Sequence, residues 1–238
     1  MKLKISFKLN KKLDKEMAWA FFGQKAAGVD FSSGITSVHP KLKTLLGKDK
    51  KEQKKIINEY FDEFYKKNEK ELKECLLKMK QDWKEDEEGF CQTLDMIFKK
   101  PKVPKGKYIG YLSIINCNPR FLNDKTFQIF YKHKAGTNFI VAHEVLHFFF
   151  YGYSLKKYPE IFKKLDQDSG IYWILAELFN DVIMSRPELF SKKYTKNAYP
   201  YPAHAKYFNT VNSFWNKNSN VDNWIKDSHK YLKQKMWL

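Results

Sequence analysis

Residues 136–152, GTNFIVAHEVLHFFFYG, place two histidines four positions apart with a glutamate directly after the first: His143, Glu144 and His147. On a helix each residue turns about 100°, so the two imidazoles lie about 40° apart, one turn above the other, on a single face. That spacing lets both rings take adjacent corners of one zinc tetrahedron. Glu144 falls about 60° from His147, near enough to serve a water at the metal without being a ligand. Thr137 or Asn138 offers an N-cap oxygen, Ile140, Val141, Val145, Leu146, Phe148 and Phe149 supply apolar faces, and Gly152 marks the expected end.

An open metal site needs a third protein ligand. Downstream of His147 the glutamates are Glu160, Glu177 and Glu188, and only Glu177 sits in an uncharged helical run, SGIYWILAELFNDVIM. Asp181 stands four residues later on the same face, where a carboxylate can receive the second N–H of a ligating imidazole. Glu160 and Glu188 instead have lysine at that spacing.

HExxH followed on a second helix by ExxxD resembles the gluzincin metallopeptidases, the thermolysin-like class, and the chain is closest in length to their minimal members. The resemblance covers residues 137–185 and implies Zn2+ held by His143, His147 and Glu177, Glu144 as general base, and Asp181 orienting His143. It implies an oxyanion donor after the glutamate helix, for which His204, Tyr199, Tyr201 and His229 are candidates; His204 leads because Pro200 and Pro202 fix the chain before it. It also implies that the strand before the HExxH helix, by order Phe127 to Lys132, forms a cleft rim pairing with extended substrate. One position departs: the class has asparagine before the glutamate ligand, and here Ala176 stands there. A metzincin is excluded, because its glycine three residues past the second histidine is replaced by Phe150 and its third histidine is missing.

An apolar fraction of 43% with 17% aromatics can bury a real core in 238 residues. No apolar run has the length of a membrane span and the N-terminus lacks a signal-peptide core, so the expectation is a cytoplasmic protein without a membrane partner. Cys75, Cys91 and Cys117 form no CxxC pair and read as buried thiols. The charge of +17 rests on lysine, with arginine only at positions 120 and 186. Because lysine is a solvated point charge rather than a bidentate reader of phosphate or guanine, nucleic acid is not the favoured partner.

Period-two alternation from Met1 to Asn10 predicts a strand, and Asp14 is placed to cap a short helix ending at Gly23. Apolar residues at three- and four-residue steps predict helix from Lys41 to about Lys84, and again from Glu87 to Phe98. Lys107–Asn116 and Thr126–His133 read as strands joined by a turn. Tyr153 to Asp168 reads as a lysine-rich linker, and helices are expected at about 204–215 and 221–236. That last helix, with its apolar tip Met236-Trp237-Leu238, is expected to restrict the cleft as a lid, the competing reading being that it completes the core of the helical subdomain. The expected fold is α+β and zincin-like: residues 1–152 form an N-terminal part with a small sheet, a helical insertion at about 41–100 and the HExxH helix, and 153–238 form a helical subdomain carrying Glu177. The expected function is zinc-dependent hydrolysis of a peptide or protein substrate. The alternative is a lysine-rich nucleic-acid-binding or protein-interaction protein with a structural or vestigial zinc site.

Overall fold

The computed structural model describes residues 3–236. In chain order the elements are β1 (Ile5–Leu9), α1 (Lys11–Phe21), β2 (Lys25–Ala26), β3 (Val29–Asp30), α2 (Phe31–Val38), a 3-10 turn (Pro40–Leu45), α3 (Lys50–Lys67) and α4 (Glu69–Phe98). Then come β4 (Tyr108–Ser113), β5 (Arg120–Phe121), β6 (Thr126–Phe130), α5 (Thr137–Lys157), α6 (Pro159–Phe162), α7 (Gly170–Met184), α8 (Lys192–Thr195), α9 (Ala205–Asn218) and α10 (Val221–Met236). The protein is therefore α+β, mostly helical with a small mixed sheet. Among the described residues no helix is long and apolar enough to cross a membrane.

Contacts divide the chain into two compact units. One holds residues 4–86 and 106–141; the other holds Leu3, 87–105 and 142 onward. This differs from a division at 152/153, because most of α5 falls with the helices that follow it.

The first unit contains the four-stranded sheet, ordered β1-β4-β6-β5. The two strands expected to follow one another across a turn, β4 and β6, are parallel neighbours, with Gly110 opposite Phe127. Parallel strands need a crossover; residues 114–125 supply it and add β5, antiparallel to β6. Gly110 sits where a Cβ would lie 2.8 Å from Phe7 and 2.9 Å from Ile129, so a larger residue there would force those side chains to shift. The outer side of β6 is also occupied: Gln128 N donates to Pro119 O at 2.9 Å and Phe130 N to Asn118 Oδ1 at 2.7 Å. The expected rim from Phe127 to Lys132 is therefore not a free edge over β6.

Helices α1, α2 and α3 cover this unit's core, which includes Ala18, Phe22, Ile35, Leu42, Ile57, Phe61, Ile114 and Ile115. The cap of α1 is Asn10, whose Oδ1 accepts from Leu13 N, rather than Asp14. Asp14, 1% exposed, turns inward instead. Its carboxyl accepts from Tyr65 Oη (2.5 Å), Ser113 Oγ (2.6 Å), Gln128 Nε2 (2.6 Å) and Ile114 N (3.1 Å), tying α1 and α3 to two strands. Burial pushes it up to about 6 against these donors. Helix α4 is continuous across the expected break near residue 84, the interruption falling at Asn68 between α3 and α4.

In the second unit α5 runs past Gly152 to Lys157 and stops before Pro159, whose ring excludes further helix. Phe150 packs on Phe179 with ring centroids 4.7 Å apart, and Phe179 on Trp224 at 5.1 Å. Trp224 is fully buried and donates its indole N–H to Val211 O at 2.8 Å. Asp222, in the first turn of α10, accepts from Tyr153 and Tyr158 hydroxyls at 2.6 and 2.8 Å and from Lys157. Helix α10 is thus part of the core, not a lid. Trp237 and Leu238 of its expected tip lie outside the described residues.

Candidate metal centre

Helices α5 and α7 build the site. From Val141 to Tyr151 every residue of α5 is buried except His143, and from Leu175 to Met184 all of α7 is buried. Apolar residues on all sides fix both helices, so their few polar side chains meet in a confined volume. His143 Nε2 lies 3.0 Å from His147 Nε2, and Glu177 Oε2 lies 3.3 Å from each. Metal–ligand bonds of about 2.0–2.1 Å in a tetrahedron put neighbouring ligand atoms about 3.3 Å apart, so these three atoms describe one face of such a tetrahedron. They form a group able to hold a metal ion. The side chains of His147 and Glu177 are 0% and 2% exposed and that of His143 16%, so solvent reaches the group past His143.

The electrostatics favour a cation. Glu144 (4% exposed) and Asp181 (6%) add buried carboxyls beside the group. Burial draws the His143 imidazole down, but its hydrogen bond to Glu177 and the charges of Glu144, Glu177 and Asp181 together hold it above the usual histidine range. Asp181 is pushed up to about 7, by burial first, with His143 opposing and Glu177 adding. These shifts register the cost of several buried acids near two imidazoles, which a dication at their centre would relieve.

Three supporting side chains were not singled out in the sequence. Trp173, one turn before Glu177, donates its indole N–H to Glu177 Oε1 at 2.8 Å and so leaves Oε2 to face the histidines. Asn180 donates its amide to the carbonyl oxygen of His143 at 2.7 Å, joining α7 to α5 beside the candidate ligands. Tyr151, one turn after His147, stacks on that imidazole with centroids 6.0 Å apart and donates to Gln167 O at 2.7 Å. The i−4, i+3 and i+4 spacings of these residues from Glu177 and His147 were the signals available.

Among the four oxyanion candidates, His204 is 2% exposed and meets Trp173 edge-on at 5.0 Å. Burial holds its imidazole below the usual range while the Glu177 charge pulls the other way, and its Nδ1 has no hydrogen-bond partner. Tyr201 packs on both Trp173 and His204, at 5.9 and 5.6 Å. The other two point elsewhere: His229 packs on Phe162 at 5.6 Å, and Tyr199 is 76% exposed. Ala176 is fully buried; the nearby buried amide on α7 is that of Asn180.

No protein-family profile matches the chain, and no curated protein or solved structure is detectably similar to it.

Proposed function

We propose that the chain is a zinc metallopeptidase of the gluzincin type with a zincin-like arrangement of its two ligand helices. The observation that carries this reading is the triangle of His143 Nε2, His147 Nε2 and Glu177 Oε2, with sides of 3.0, 3.3 and 3.3 Å. Three protein ligands with an adjacent non-ligand carboxyl fit a catalytic site better than a structural one, which would be closed by a fourth Cys or His. When bound, zinc supplies Lewis acidity that lowers the pKa of water toward about 7.

The chain's own residues do the rest. Glu144 accepts the proton of the attacking water and delivers it to the departing amine nitrogen. Its burial keeps that proton from exchanging with bulk solvent during the transfer. His204, held neutral by burial, donates a hydrogen bond to the peptide carbonyl oxygen as negative charge develops there. Trp173 fixes the Glu177 carboxylate, and Asp181 opposes the charge on His143.

The test is metal content of the purified protein beside a Glu177→Ala variant, with hydrolysis of an unstructured substrate in parallel. The expected result is one zinc per chain in the native protein, loss of it in the variant, and zinc-dependent cleavage. Stoichiometric metal that survives Glu177→Ala refutes the ligand assignment, and a zinc-loaded native protein that cleaves no peptide refutes the activity.

A further inference from the structure

Behind the metal centre, the same helix forms one wall of a second concavity. Phe149, Gly152 and Lys156 lie roughly opposite His143 and His147 around α5, with Tyr153 to one side. Lys99 and Lys100 both adopt left-handed backbone, φ +55° and +56°, and Lys100 N closes on Asp95 O at 2.9 Å. This turn ends α4 and directs residues 101–105 over α5. There the ring of Pro104 lies so close to Gly152 that a Cβ at 152 would sit 3.2 Å from it.

Between this segment and α5 is a cavity of about 590 Å³, within the range that takes a small organic ligand rather than a helix or a folded partner. Its floor is apolar: Phe98 packs on Tyr153 and Phe149 at 5.2 and 6.2 Å, and Val103 and Pro104 complete the lining. Its rim carries Lys100, Lys102, Lys105, Lys156 and Lys157, and no acid lines it. Lys157 is engaged by Asp222. The other four are exposed and make no ion pair with any described residue.

We propose that this cavity binds a free amphipathic anion: an acyl chain of roughly ten to twelve carbons ending in a carboxylate. The chain lies on the aromatic floor, where water gains by leaving, and the carboxylate sits among the rim ammonium groups, which have no internal counter-charge. The size of the cavity sets the ligand class, and the absence of any acid in its lining sets the sign of the head group.

The experiment measures binding of monomeric dodecanoate to the full-length protein by calorimetry, with dodecanol and dodecyltrimethylammonium as the neutral and cationic counterparts. The expected dissociation constant for dodecanoate is about 100 µM or tighter, with the neutral and cationic chains at least about tenfold weaker. A Lys100→Glu, Lys102→Glu, Lys156→Glu triple variant is expected to lose about tenfold or more. A control reversing the exposed Lys51, Lys66 and Lys67 on α3 removes the same net charge elsewhere and is expected to bind like the native protein. Because all six positions are exposed, both variants should melt like the native protein. Four results overturn the proposal: no binding of dodecanoate at about 1 mM, equal binding of dodecanol, equal loss in the control variant, or association only with anionic vesicles and not with the free carboxylate.

Discussion

Replacing Trp173 with phenylalanine tests how the third ligand is held. The change deletes one hydrogen bond, indole N–H to Glu177 Oε1 at 2.8 Å, while leaving an aromatic ring to meet His204 and Tyr201. The Glu177 side chain is 2% exposed, so water does not readily replace the lost donor. A hydrogen bond to a charged group contributes about 1.5–3 kcal/mol net. That free energy divides between two states. Whatever part the metal-free protein already draws from the bond appears as lost stability, and the part that orients Oε2 toward the histidines appears as lost affinity. Affinity for zinc is therefore expected to fall by up to about 10- to 100-fold, the range usual on removing a partner of a ligating side chain, with any shortfall appearing as lost stability. Competition with a chelator gives the zinc constant and a thermal melt of the metal-free protein gives the remainder. Zinc affinity within about twofold of native together with an unchanged melt would refute the claim that Trp173 holds the ligand.

Glu144→Gln is expected to bind zinc normally and to lose about 10²- to 10⁴-fold in peptide hydrolysis, because the amide keeps the shape but cannot accept a proton; unchanged turnover would remove Glu144 from the chemistry. Truncation before Asn220, or Trp224→Ala at about 3–5 kcal/mol, should lower the melting temperature with no gain in activity, since Trp224 is fully buried against Phe150 and Phe179. A truncated protein that melts like the native one and cleaves faster would restore the lid reading. Asp14 titrates near 6 in the folded chain against 3.8 for the free side chain, so the folded state holds its proton longer. Its contribution to stability is complete below about pH 4, falls as pH rises through about 6, and then levels off, a change of about 3 kcal/mol. The stability difference between native protein and Asp14→Asn, from urea unfolding at pH 4 and pH 7, should shift by about that amount, and a pH-independent difference would contradict it.

What the sequence determined is what repeats over a few residues. The four-residue spacing of His143 and His147 and the uncharged run around Glu177 placed three atoms able to hold a metal ion on two helices, and the structure brings those atoms within 3.3 Å of one another. Apolar periodicity likewise located α9 and α10, because a helix that buries one face shows it at three- and four-residue steps. Tertiary structure decided what depends on partners far along the chain. Asp14 looked like a cap because its neighbours are helical, yet its carboxyl is taken by Ser113, Ile114 and Gln128, about a hundred residues away. Gly152 looked like a terminator, but nothing local stops α5 until Pro159, and the glycine instead faces Pro104, which a Cβ at 152 would approach to 3.2 Å. Strands β4 and β6 are parallel because the crossover between them, rather than either strand's own pattern, fixes their direction. The spacing of Trp173 and Asn180 from Glu177 says only which face of α7 they share; that the Asn180 amide meets the His143 carbonyl oxygen is a property of two helices packed together, and neither helix alone encodes it.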